Sequence, residues 1–195
     1  MGRFYQFARF IVYCIFKPLF RIKAIGKENF PMEGAVLLCS NHIDNLDPPV
    51  IGIMAPRQLR FMAKEELFKI PVFSRLIRIL GAFPVKRGFS DREALRTGLK
   101  ILKEGEVLAI FPEGTRNKTG KLRKGLAGAG FFALRSECKV LPCAVIGAYR
   151  PFRRTKIVFG SPIDFTEYRK QKRSAEEATN LIMEEIEKLL EKYRS

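Results

Sequence analysis

The sequence holds one histidine, His42, within NHIDNLD at residues 41–47. An imidazole takes and gives a proton near neutrality, which suits it to general acid-base work. A histidine on its own is most often a surface or core residue, so its neighbours decide the matter. Two carboxylates accompany it, Asp44 and Asp47. Either one, bonded to a ring nitrogen, would fix the tautomer and leave the other nitrogen to accept a proton. On a regular helix a residue five positions on is turned well round from His42. Pro48 and Pro49 argue against a regular helix here, so Asp47 can turn back toward the ring. Asp44 is the rival partner, and its ordinary role would be a turn or helix cap. Such a base could activate a side-chain nucleophile or a substrate hydroxyl. No G-x-S-x-G elbow is present, and Cys39 and Ser40 stand beside His42 without a convincing setting. The alternative is a substrate hydroxyl, deprotonated as it attacks an activated acyl group.

A second stretch, FPEGTR at residues 111–116, reads as an anion loop. Gly114 and Thr115 offer backbone amides and a hydroxyl, and Arg116 offers a planar fork that matches a phosphate. Lys118, Lys121, Arg123 and Lys124 thicken the positive field, although such charges are often merely solvated. Glu113, an acid amid bases, could accept a hydrogen bond from a substrate hydroxyl or hold Arg116 in place. GKLRKG lacks the spacing of a P-loop, and GLAGAG follows a loop rather than a strand, which is poor for a dinucleotide fingerprint. One histidine and four cysteines with no C-x-x-C pair make no metal site and no zinc set. Cys14, Cys39, Cys138 and Cys143 read as reduced, buried thiols of a cytoplasmic protein.

Both stretches must be held by a scaffold. Apolar runs at 35–41, 59–64, 82–87, 107–112, 139–150 and 155–163 predict strands. Residues 65–81 read as helical, interrupted at Pro71 and stopped by Gly81. Ser90 with Glu93 predicts a capping box for a helix closed by Gly105, and 126–137 predicts another helix. Ser174 with Glu177 caps a last helix with an apolar stripe of Ala178, Leu181, Ile182, Ile186, Leu189 and Leu190. Alternating strands and helices predict an α/β fold, a mixed, largely parallel sheet covered by helices on both faces. In such sheets ligands sit beyond the carboxyl ends of strands. NHIDNLD and FPEGTR each follow a strand, which makes them one candidate site.

The 195 residues are 47% hydrophobic and 29% charged, which suits one folded domain. A net charge of +16 calls for an anionic partner: lipid headgroups, phosphorylated substrates or nucleic acid. No aromatic-basic recognition signature favours nucleic acid, and we expect none to bind. The amino terminus is apolar, but its longest unbroken run, residues 10–16, falls far short of the roughly 20 residues that span a bilayer. Gly2, Gln6, Arg9, Tyr13 and Lys17 recur as one polar stripe, leaving a broad apolar face. This predicts an amphipathic helix in the headgroup zone, with Arg3, Arg9, Lys17, Arg21 and Lys23 at lipid phosphates. The bland reading is a helix that covers the protein's own core. Residues 1–25 are thus expected to be an interfacial membrane-binding segment, and residues 26–195 one folded domain that carries both stretches.

Together these blocks resemble the lysophosphatidic acid (1-acylglycerol-3-phosphate) acyltransferase family, over roughly residues 26–163. NHIDNLD matches its H-x4-D signature, which implies His42 as catalytic base and Asp47 as the acid that orients it. GAFPVKRG resembles a second block, and implies that Arg87 helps hold the glycerol phosphate. FPEGTR matches a third, with Glu113, Gly114 and Arg116 at the acceptor; Thr115 and Lys124 join them as candidate substrate-binding residues. LPCAVIG resembles a fourth, with Pro142 at the matching position. Asn117 and Lys86 depart from the usual pattern, the first without consequence for mechanism, the second adding charge near the phosphate. The resemblance implies transfer of an acyl group from acyl-CoA or acyl-ACP (acyl carrier protein) to lysophosphatidic acid, giving phosphatidic acid in phospholipid biosynthesis. It implies no bound cofactor, and a peripheral or monotopic place on the cytoplasmic face of the cell membrane, at its anionic surface. Alternatives are glycerol 3-phosphate or another lysophospholipid as acceptor, or a non-catalytic relative that binds anionic lipid.

Overall fold

Every one of the six expected strands forms, and a seventh precedes them. The computed structural model describes residues 3–85, 91–117, 119 and 121–194. Its strands are β1 (Lys23–Ile25), β2 (Val36–Ser40), β3 (Leu59–Lys64), β4 (Ala82–Val85), β5 (Val107–Ile110), β6 (Lys139–Ile146) and β7 (Lys156–Phe159). They make one sheet in the order β1-β7-β6-β2-β5-β3-β4. All neighbours run parallel except β6 and β7. β1 has no counterpart among the expected strands, because three residues are too few to show a period.

The central strands β2, β5 and β6 are apolar except for Ser40 and Lys139 at their ends, because both faces are covered. Leu37, Cys39, Leu108, Ile110, Val140 and Ala144 face one layer. Val36, Leu38, Val107, Ala109, Leu141 and Cys143 alternate onto the other. The first layer is built by α4 (Arg92–Lys103), α5 (Gly128–Arg135) and α7 (Ala175–Tyr193). The second is built by α2 (Asp47–Met54), backed by α1 (Arg3–Leu19). α3 (Pro71–Ile79) joins β3 to β4 after a 3-10 turn at Glu65–Lys69, and a short α6 (Thr166–Lys170) precedes α7.

The helix signals are local and mostly hold. α7 starts on the expected capping box of Ser174 and Glu177 and buries Ala178, Ile182, Ile186 and Leu190. α4 differs: its cap is Asp91, whose carboxylate accepts from the Glu93 and Ala94 amides at 3.1 and 3.0 Å, while Ser90 lies outside the described residues. Gly130 sets how closely α5 meets α7, because a Cβ there would stand 1.9 Å from the Ala175 carbonyl oxygen.

α1 buries one side of its apolar surface and leaves the other exposed. Tyr5, and Phe20 just past the helix, are buried, and Val12, Phe16 and Leu19 pack on the α2 layer. Burial at this level stabilises by roughly 1.5–3 kcal/mol per large side chain. On the opposite side Phe7, Phe10 and Ile15 remain 62%, 64% and 53% exposed. Arg9, expected at lipid phosphates, instead donates to the carbonyls of Ile53 and Ala55 at the end of α2. Carbonyls at a helix end lack helical partners, and a guanidinium satisfies them. Cys14, expected to be buried, is exposed on this helix; the other three thiols are buried as expected, and all four are free. Among the described residues no helix is long and apolar enough to cross a membrane.

Candidate active site

Strand register builds the site. β2 and β5 are parallel neighbours with Cys39 opposite Ile110. Three residues further along each strand come His42 and Glu113, so the two loops leave the sheet level with one another. The His42 amide donates to Glu113 Oε1 at 3.0 Å, and the Asn117 amide donates to the His42 carbonyl at 2.7 Å. Asn41 secures the other side: its side chain exchanges hydrogen bonds with the Val145 carbonyl and amide at 3.0 and 2.7 Å, prolonging the ladder to β6.

Asp47 opens α2, with Pro48 and Pro49 placed where a helix tolerates a missing N–H. The chain turns between His42 and Asp47, and Asp47 Oδ2 lies 2.7 Å from His42 Nδ1. The same oxygen accepts from the amides of Ile43 at 2.7 Å and Asp44 at 2.8 Å. Oδ1 accepts from the Tyr149 hydroxyl at 2.8 Å. Asp47 is 0% exposed, so these four bonds offset the cost of burying its charge. A carboxylate in this position requires the proton on Nδ1, which leaves Nε2 as the basic nitrogen. Asp44 takes the rival, bland role: its Oδ1 accepts the Leu46 amide at 3.1 Å. The Phe111 ring stacks on the imidazole at 4.0 Å, fixing its plane. Burial and the Asp47 carboxylate push the Tyr149 phenol well up, so it stays a protonated donor.

Adjacent nucleophiles are ruled out by their surroundings. Cys39 is fully buried, and burial beside Cys138 and Cys143 pushes its thiol well up. Burial pushes Cys143 up to about 12. Ser40 is buried too, and its hydroxyl donates to the Asn41 carbonyl at 3.1 Å.

The anion loop is organised differently from its reading in sequence. Glu113 does not hold Arg116. It is buried, and beyond the His42 amide it accepts from Asn117 Nδ2 at 3.1 Å and the Arg123 amide at 3.2 Å. The Gly114 amide donates to the Phe111 carbonyl at 3.0 Å, and φ of 66° there suits glycine. Thr115 and Arg116 are exposed, one and two residues beyond it. Lys124 pairs with Glu176 of α7 at 2.6 Å, away from the role expected of it. Lys118, like Arg87 and Lys86, lies outside the described residues. Asn117, read as inconsequential, is 4% exposed and knots the loop through Glu113, Thr119 and the Lys121 carbonyl. Lys64 was not singled out, yet Phe61 pairs with Ala109, so the exposed Lys64 ends β3 level with Pro112. A cleft of about 130 Å³ opens beside Asn41 and Ile43 and is walled by Glu113, Asn117 and Lys121.

The arrangement can remove a proton from a hydroxyl held near cations. Comparison with known proteins agrees with that chemistry. Residues 21–146 match the Acyltransferase family model. A 1-acyl-sn-glycerol-3-phosphate acyltransferase from Bacillus subtilis is 30% identical over 181 residues, spanning 87% of this chain and 90% of its own. Another, from Borreliella burgdorferi, is 27% identical over 191 residues, spanning 88% and 72%. The crystal structure of the 1-acyl-sn-glycerophosphate (LPA) acyltransferase PlsC from Thermotoga maritima superposes with a TM-score of 0.76 at 26% identity, over 100% of this chain and 85% of that one. The chain therefore belongs to the acyltransferase family, and it is an acyl-transferring enzyme.

Proposed function

We propose that the enzyme acylates the free hydroxyl of 1-acylglycerol 3-phosphate, forming phosphatidic acid, with acyl-CoA or acyl carrier protein as donor. One observation carries the reading: a buried Asp47 holds His42 through Nδ1, and the loop bonded to the His42 backbone carries Arg116. Arg116, with Lys64 and the Arg87 implied by family resemblance, grips the phosphomonoester. That grip sets the acceptor hydroxyl at Nε2 and converts an encounter into a positioned reaction. Nε2 takes the hydroxyl proton as the oxygen attacks the thioester carbonyl. The resulting imidazolium is stabilised by Asp47. The tetrahedral intermediate collapses, the C–S bond breaks, and the imidazolium returns its proton to the leaving thiolate.

The acceptor is a lipid, so the site must work at a bilayer. The exposed Phe7, Phe10 and Ile15 of α1 suit the acyl boundary, and exposed Arg3, Lys17 and Arg21 suit headgroup phosphates. The activity for which these relatives are named supports the acceptor assignment.

The test is a purified-enzyme assay crossing lysophosphatidic acid and glycerol 3-phosphate with both thioesters, repeated with Arg116→Ala. The reading expects turnover of lysophosphatidic acid and an Arg116→Ala enzyme with a raised KM for it. Turnover of glycerol 3-phosphate alone would overturn the acceptor, and a KM change confined to the thioester would overturn the role of Arg116.

A further inference from the structure

The loop at residues 147–155 serves the dyad at one end. Its Tyr149 hydroxyl holds Asp47, and three residues later Phe152 stands 72% exposed. Phe152 has φ of 62°, in the left-handed region that bulky residues rarely enter. Its surroundings impose this conformation. The Phe152 amide donates to the Leu19 carbonyl at 2.7 Å, the Thr155 amide to the Phe20 carbonyl at 3.1 Å, and the Lys23 amide to the Thr155 carbonyl at 2.9 Å. The knuckle is therefore fastened to the end of α1, and a bare aromatic ring stands out from a fixed backbone. Around it lies a cleft of about 440 Å³ lined by Arg21, Phe152, Arg153, Arg154, Lys156 and Arg194, with no acid among the described residues of its wall. Arg21, Arg153 and Arg154 are all exposed.

We propose that this knuckle is a docking site for an anionic phospholipid bilayer, in which Phe152 enters the acyl boundary and the arginines around it bind headgroup phosphates. The proposal rests on the membrane-surface reading of α1 given above and adds a second contact with its own chemistry. Two observations fit a bilayer, and the second of them distinguishes it from a soluble anion. The charge is of one sign, as an anionic surface requires. A soluble phosphate would leave the Phe152 ring in water, whereas a bilayer takes both ring and arginines. The position is also continuous with α1, whose outward apolar stripe ends next to Leu19. Docking here sets the loop that carries Tyr149 against the lipid, and so orients the dyad toward the phase that holds its acceptor.

Co-sedimentation of the full chain tests this with two vesicle types, neutral phosphatidylcholine and phosphatidylcholine carrying phosphatidylglycerol. The Arg153→Gln/Arg154→Gln variant is expected to bind anionic vesicles about 30-fold more weakly, from roughly five-fold per arginine at a charged surface, and neutral vesicles as wild type does. Phe152→Asn, which tolerates the left-handed backbone, is expected to weaken binding to both. Turnover of a water-soluble short-chain acceptor should be unchanged in each. Anionic-vesicle binding by the double Gln variant equal to wild type overturns the proposal while leaving α1 as the membrane contact. A raised KM for the CoA thioester with vesicle binding unchanged also overturns it, by giving the cleft to a soluble donor's phosphates. Wild-type protein that binds neither vesicle overturns this proposal and the α1 reading together, and Phe7→Ser/Phe10→Ser on neutral vesicles reads α1 separately.

Discussion

Replacing Asp47 by Asn removes one charge from the site and almost nothing else. The side chains are isosteric, and the Asn oxygen can occupy the Oδ2 position, keeping the His42 Nδ1, Ile43 and Asp44 donors at 2.7, 2.7 and 2.8 Å. The new amide group would face the Tyr149 hydroxyl, which can rotate to accept. His42 therefore keeps its pose and its tautomer. On the proposed mechanism, what disappears is the counter-charge to the imidazolium formed when Nε2 takes the acceptor proton. For unit charges about 4 Å apart at an effective dielectric of about 20, that attraction is worth about 4 kcal/mol. A transition state deprived of it is reached about 10³-fold more slowly. Asp47 is 0% exposed and cannot touch the acceptor, so the loss should fall on kcat and leave both KM values alone. Steady-state formation of the acylated lipid by Asp47→Asn measures this, with circular dichroism and a cooperative melt to establish the fold. A folded variant whose kcat stays within a few-fold of wild type would refute the electrostatic role given to Asp47. A loss confined to KM would refute the geometry.

Three further outcomes follow from particular contacts. Tyr149→Phe takes one donor from a buried carboxylate; hydrogen bonds to charged groups contribute about 2 kcal/mol, so the melt should fall and kcat should drop by up to about 30-fold at constant KM. Gly130→Ala forces a Cβ to within 1.9 Å of the Ala175 carbonyl oxygen, which should cost about 3 kcal/mol, or roughly 10 °C in Tm; an unchanged melt would show that α5 and α7 can separate freely. Native-state labelling with a thiol reagent should modify Cys14 alone, since Cys39, Cys138 and Cys143 are buried, and Cys14→Ser should abolish the fast reaction.

The sequence displayed what depends on local pattern. Apolar runs located the six longer strands, and the capping box and stripe located α7, because period and caps are written in consecutive residues. That an acid partners His42 was legible because Asp44 and Asp47 both lie within one turn of chain, and the H-x4-D resemblance singled out Asp47. What it hid depends on register. Glu113 holds the His42 backbone only because β2 and β5 are neighbours with Cys39 opposite Ile110, a fact no local pattern carries. Tyr149 reaches Asp47 across 102 residues, and one tyrosine in a basic loop gives no signal of that. Arg9 looked like a lipid contact because a stripe shows which residues share a face but not which carbonyls that face will meet. Lys124 was read with its neighbours as field for the substrate, and α7 supplies it with Glu176 instead.

The central claim is that Nε2 of His42 takes the acceptor's proton. Acyl transfer from a thioester to lysophosphatidic acid, measured for wild type and for a folded His42→Ala variant, tests it most directly. The account predicts turnover by wild type and none above the uncatalysed rate by the variant, with acceptor binding retained. Full turnover by folded His42→Ala would contradict it.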